Sequence, residues 1–190
     1  MRSNGVLWMS THFHSYLRGG VDNVKNWRVA ADNFNVLKKK FMFIPINIPR
    51  RGNASHWALA VVVNADCIDK GMMYATWSGY CDQFPKDYPA PCILYLDSGD
   101  KSYNQTNANK NCSVIKAWLE SKMQSNHNDN DQNDNIRKKY TFKKGNVCSM
   151  NTIPVRVPLQ ENDIDCGPFV CAFASQMLKL LDYTFYFNES

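Results

Sequence analysis

The stretch His56-Trp57-Ala58-Leu59-Ala60-Val61-Val62-Val63-Asn64 carries apolar side chains at both of its alternating positions. Successive side chains of a strand point to opposite faces, so a strand apolar on both is covered on both, which predicts burial inside a sheet that carries helices. Just upstream, Phe41 to Ile48 (FMFIPINI) is β-branched and aromatic and runs into Pro49-Arg50-Arg51-Gly52, as a strand followed by a turn does. Pro45 has no N–H to give a neighbour, so this strand is expected at an edge or a bulge. Downstream, Cys92 to Asp97 (CILYLD) reads as a short buried strand ending at a carboxylate. Val155, Val157 and Leu159 alternate as a further strand, which Pro154 and Pro158 place at an edge.

Helical patterns surround these strands. Val6 to Leu17 sets Leu7, Trp8, Phe13, Tyr16 and Leu17 at helical spacings before Gly19-Gly20, which predicts a short buried helix. A second pattern starts at the capping residue Asp22 and ends in Lys38-Lys39-Lys40, where cations favour a helix C-terminus. Ser113 to Met123 is amphipathic, with Val114, Trp118 and Leu119 on one side, and predicts a helix capped by Ser113. The last helix begins at Asp165-Cys166-Gly167-Pro168 and runs to about Leu181, with Asp165 as N-cap and Pro168 in the first turn, where a missing N–H costs nothing. Residues 64–91, broken by Gly71, Gly79, Pro85 and Pro89, read as a surface insertion, and residues 124–135, rich in Asn and Asp, as a low-complexity loop.

Composition narrows the classes. The 190 residues are 44% hydrophobic, 13% aromatic and 21% charged, which suits one domain with a real core and excludes collagen-like, coiled-coil and wholly disordered chains. No run of apolar residues is long enough to span a membrane, and Met1-Arg2-Ser3-Asn4-Gly5 lacks the apolar core of a secretory signal, so an intracellular protein is expected. Seven cysteines, an odd number without a paired framework, read as reduced thiols. The net charge of +5 is scattered and fits an acidic protein partner as well as nucleic acid.

Cys166 is the cysteine with a chemical setting. At a helix N-terminus a thiol feels the positive end of the dipole and can be held as the thiolate that attacks carbonyl carbon; from position alone the alternative is a small buried hydrophobe. Cys171 reads as packing. Absence of any C-x-x-C, and the isolation of Cys81, Cys92 and Cys112 from a histidine pattern, argue against zinc. A nucleophilic cysteine needs a base and a group that orients the base. His127 falls in the low-complexity loop, and His12 and His14 lie among aromatics, where a structural or exposed role is commoner. His56 opens the best strand and can project from the sheet end into a cleft. Asp97 also ends a strand, and the two meet if those strands are neighbours; Asp66 and Asp163 sit in loops. Gln160, six residues before Cys166, could join the Cys166 N–H in receiving an oxyanion. Trp57 is either a core residue or a flat wall for a substrate.

Three spaced segments carry a family resemblance: His56-Trp57-Ala58-Leu59-Ala60-Val61-Val62, Tyr95-Leu96-Asp97-Ser98, and Gln160-x₅-Cys166-Gly167-Pro168-Phe169-Val170-Cys171. In that order they resemble the ubiquitin-like-protein proteases, also called sentrin/SUMO-specific proteases. Asp22 to Trp27 and Phe41 to Ile46 are similar to the helix and strand that precede the family's histidine. The resemblance implies an α+β, papain-like cysteine protease fold, with a central mixed sheet flanked by helices and the nucleophile at a helix N-terminus. It assigns His56 as base, Asp97 as its orienter, Cys166 as nucleophile, Gln160 to the oxyanion hole, and Trp57 to the roof of a channel for a diglycine tail.

By the same resemblance the chain is a cysteine isopeptidase or endopeptidase that cleaves after the C-terminal Gly-Gly of a SUMO-like modifier, in the nucleus or cytoplasm. Its partners are the modifier and its conjugates, with no metal, no cofactor, no nucleic acid and no membrane. The long stretch between the His and Asp strands is similar to the branch that trims poly-SUMO chains. Residues 1–190 are expected to form a single protease domain that lacks the family's opening Trp-Leu-Asn-Asp-like segment and its closing helix. Two other readings stay open: a protease for NEDD8 or ubiquitin, and a non-catalytic module that holds a ubiquitin-like protein.

Overall fold

Hydrogen bonding between extended segments builds a five-stranded mixed sheet in a computed structural model that describes residues 5–24, 36–50, 55–68, 91–99, 103–129 and 150–187. The strands are β1 (Val6–Trp8), β2 (Phe41–Pro49), β3 (Ser55–Val63), β4 (Cys92–Leu96) and β5 (Asn151–Pro154), ordered in space as in sequence. β2, β3 and β4 are antiparallel neighbours, while β1 joins β2 and β5 joins β4 in parallel.

The reading of β3 as a two-sided strand holds. Ala58, Ala60 and Val62 face one apolar cluster with Met42, Ile44, Ile46 and Trp118, and Leu59 and Val61 face a second with Phe41, Phe43, Leu96 and Phe173. The first cluster is closed by α1 (Phe13–Arg18) and α2 (Gln105–Asp129), the second by α3 (Cys166–Phe187). Phe13 meets Trp118 edge to face at 4.8 Å, tying α1 to α2. β2 pairs residue for residue with β3, without a bulge, and pairing with β1 stops at Phe43. Pro45 thus lies where the far side of β2 has no ladder partner among the described residues, which is the edge position expected of it.

Elsewhere the pattern misled. Val6 to Trp8 is strand, because those backbone groups pair with Phe41 to Phe43 and Trp8 stacks on Phe43 at 4.4 Å; the helix begins only at Phe13. Of the helix expected over 22–40, the described parts are single 3₁₀ turns, Val21–Val24 and Val36–Lys38, and the remainder lies outside the described residues. The edge strand falls at Asn151–Pro154, upstream of the Val155–Leu159 alternation, because β4 pairs with 151–154.

α2 starts eight residues before Ser113, at a cap where Asn104 Oδ1 accepts from the N–H of Thr106 at 2.8 Å. Ser113, inside the helix, donates instead to the Lys110 carbonyl. The helix also continues through 124–129, part of the expected loop, because extending a formed helix costs a polar residue little; 130–135 lie outside the described residues. α3 likewise runs past Leu181 to Phe187. Of the expected insertion, Asn64, Ala65 and Ile68 are buried rather than on the surface, with Asn64 turning the chain at φ 55°; 69–90 lie outside the described residues.

Candidate active site

The antiparallel register that sets Leu59 opposite Leu96 brings the residue after β4, Asp97, to the face and end of the sheet where His56 stands. His56 Nε2 donates to Asp97 Oδ1 at 2.6 Å, both side chains being nearly buried. Because a carboxylate only accepts, this bond assigns the proton to Nε2 and leaves Nδ1 as the lone-pair nitrogen. Nδ1 is buried and has no hydrogen-bond partner among the described residues.

Asp97 is held on both oxygens. Gly99 N–H donates to Oδ1 at 2.9 Å and Tyr95 Oη–H to Oδ2 at 2.9 Å, while Asn111 Nδ2 from α2 donates to Tyr95 Oη at 2.8 Å. Burial works to raise the Asp97 pKa, but the donors His56, Gly99 and Tyr95 together hold it below the usual carboxylate value. Burial and the Asp97 charge push the Tyr95 phenol upward, so it stays a donor. Gly99 touches the ring itself: a Cβ there would stand 2.8 Å from His56 Cε1 and 3.0 Å from Nε2.

Gln160 and Cys166 sit on one short connection into α3. Cys166 is the first residue of the helix and 4% exposed, and the Phe169 N–H bonds to the Asp165 carbonyl at 3.0 Å to open the helical ladder. Asn162 shapes the connection: its Oδ1 accepts from the N–H groups of Ile164 and Asp165, both at 3.0 Å, and its Nδ2 donates to Asp165 Oδ2. Gln160 Oε1 accepts from Ser98 Oγ at 2.7 Å, Nε2 donates to the Asn162 carbonyl at 2.5 Å, and its N–H donates to the Ser98 carbonyl at 3.0 Å.

The structure thus joins His56 to Asp97 directly, and joins Gln160 to the residue after Asp97. It makes no hydrogen bond from His56 Nδ1 to Cys166. Trp57 is half-buried on β3, opposite Asn47. Cys171, read as packing, is exposed instead, since its side of α3 faces away from the sheet. Cys112 on α2 is a fully buried thiol, pushed up to about 12 by burial. His14 is buried, as a structural histidine: its Nε2 donates to the Asn111 carbonyl at 3.0 Å and burial lowers its pKa. Sequence reasoning missed Tyr95, Asn111 and Asn162. Tyr95 alone had a signal, since two residues before Asp97 in a strand it must share that residue's face.

Residues 9–187 match the family model described as the Ulp1 protease family, C-terminal catalytic domain. The chain belongs to the Ulp1 protease family. A curated relative, the probable ubiquitin-like-specific protease 2A of Arabidopsis thaliana, is 26% identical over 153 residues, which cover 80% of this chain and 16% of that protein. Among solved structures, the SUMO protease Ulp1 with its catalytic cysteine oxidised to a sulfinic acid superposes with a TM-score of 0.53 at 18% identity, over 90% of this chain and 56% of the other. The C-terminal Ulp1 protease domain in complex with SMT3, the yeast ortholog of SUMO, gives 0.52 at 19% identity, over 90% and 55%. This Ulp1-family chain therefore spans little more than half the length of those structures and a small part of the curated relative. The shared fold is the α+β, papain-like fold with a mixed sheet between helices that the motifs implied.

Proposed function

We propose that this chain is a cysteine peptidase domain that cleaves after the C-terminal Gly-Gly of a SUMO-like modifier, releasing it from precursors or from lysine conjugates. The observation that carries the reading is the His56 imidazole, held by Asp97 through Nε2–H, with Nδ1 left as a buried base that has no partner among the described residues. Family membership supplies the reaction class, and the named structural relatives are SUMO proteases.

In this reading Nδ1 takes the Cys166 thiol proton and the thiolate attacks the carbonyl carbon of the terminal glycine. The tetrahedral oxyanion is received by the Cys166 N–H and the free N–H of Gln160 Nε2. Collapse breaks the C–N bond, His56 returns the proton to the leaving lysine amine, and a thioester remains. Water, deprotonated by His56, attacks the thioester, and the modifier leaves as a carboxylate while the thiol is restored. Trp57 forms the flat wall along which two glycines pass and a larger residue clashes. Such an enzyme works where the conjugates are, inside the cell, in nucleus or cytoplasm. The long connection between β3 and β4 supports assignment to the chain-trimming branch.

A SUMO carrying an electrophile at its C-terminus tests this directly. It is expected to form an adduct on Cys166 that is lost in Cys166→Ala and in His56→Ala. Labelling only by NEDD8 or ubiquitin probes would change the modifier, and binding of SUMO without labelling would make the chain a non-catalytic holder. Gln160→Ala is expected to lower turnover by about 10² to 10³, the cost of one oxyanion donor.

A further inference from the structure

The side-chain amide of Gln160 has two unlike ends, and only one orientation offers N–H groups to an oxyanion. Two neighbours decide which. The Asn162 carbonyl can only accept, so the end 2.5 Å from it must be the NH₂. The opposite end is then Oε1, and the Ser98 hydroxyl, 2.7 Å away, must be the donor that holds it. An NH₂ carries two hydrogens, so with one on Asn162 the other has no acceptor among the described residues and can serve the substrate.

We infer that Ser98 is a positioning residue for the oxyanion donor: its hydroxyl locks Gln160 so that the remaining amide N–H is aimed before substrate arrives. This inference rests on the reading of Gln160 given above and deepens it. Ser98 is 1% exposed and Gln160 9%, so water is poorly placed to replace the hydroxyl. The backbone is keyed to the same residue, with the Gln160 N–H on the Ser98 carbonyl at 3.0 Å. Ser98 also follows Asp97, which holds His56 at 2.6 Å. One peptide unit therefore sets the base with its first side chain and the oxyanion donor with its second. Preorganised donors are worth most when they cost no rearrangement at the moment of reaction, which is what this lock supplies.

The test compares Ser98→Ala, Gln160→Ala and the double variant on a SUMO-tail substrate, and measures alkylation of Cys166 by iodoacetamide, followed on the Cys166 peptide by mass spectrometry. Alkylation needs the thiolate and builds no oxyanion. Ser98→Ala is expected to lower kcat by about 10- to 100-fold with KM within about twofold, to add nothing to Gln160→Ala, and to leave the alkylation rate unchanged. Full turnover by Ser98→Ala, a loss that multiplies with that of Gln160→Ala, or alkylation slowed in step with turnover would each overturn the inference. Wild-type turnover by Gln160→Ala would instead remove Gln160 from the oxyanion hole. Should Ser98→Ala not fold, Ser98→Cys, whose S–H is too weak and too long a donor to hold Oε1 as the hydroxyl does, is expected to lose kcat while keeping alkylation; kcat retained in full there overturns the inference equally.

Discussion

His56 is positioned by one residue that pulls and one that leaves room. Asp97 binds its Nε2, and Gly99 presses against the ring where any Cβ would fall within 3.0 Å of two imidazole atoms. Gly99→Ala is expected to cost about 1–3 kcal/mol in urea unfolding, the usual price of overpacking, and to lower turnover far more, because the ring yields by leaving Asp97. Wild-type kcat in that variant would refute the contact. Tyr95 acts at the other carboxylate oxygen. The folded pKa of Asp97 lies below its ordinary 3.8, so the ionised form adds stability that is present above that value and is lost as pH falls through the folded one. Removing the Tyr95 hydroxyl takes away one donor and raises the folded pKa. In Tyr95→Phe the acid limb of unfolding is therefore expected to move to higher pH; an unmoved limb would show that Oδ2 is held by something else.

Among elements, α2 does most to join site and scaffold. It is capped by Asn104, it supplies Asn111 to Tyr95, and its Asn111 carbonyl receives His14 of α1. Asn104→Ala is expected to cost about 1 kcal/mol in chemical unfolding, since the N–H of Thr106 loses its acceptor. The α1–α2 contact should also respond to pH. Burial lowers the His14 pKa from 6.5, the Arg18 charge adds to that, and the Asn111 carbonyl opposes both. The unfolded chain therefore takes up this proton first, and stability drains away as pH falls below 6.5 until the folded pKa is passed. His14→Asn is expected to flatten that part of the urea-midpoint profile, and an unchanged slope would place the titration elsewhere.

For the whole molecule, the sheet is a partition between two cores, closed by α1 and α2 on one side and by α3 on the other. Trp118 is 1% exposed in the first core, against Phe13. Trp118→Ala is expected to cost about 3–5 kcal/mol in denaturant unfolding, with loss of the α1–α2 contact. The amino-acid order by itself determined what short-range chemistry determines. Two-sided apolarity made residues 56–63 a central strand, Pro45 marked an edge, and Asp165-Cys166-Gly167-Pro168 opened a helix, because face periodicity and capping act within a few residues. It also carried the order His56, Asp97, Gln160, Cys166. Tertiary structure alone decided whose hydrogen bonds go where. Val6 to Trp8 became strand because β2 offered an edge, and an isolated three-residue segment holds no such information. Asn111 and Tyr95 met because α2 crosses that sheet face, and Ser98 met Gln160 although 62 positions separate them. Such contacts are made by the packing of distant elements, and no local period or spacing encodes them.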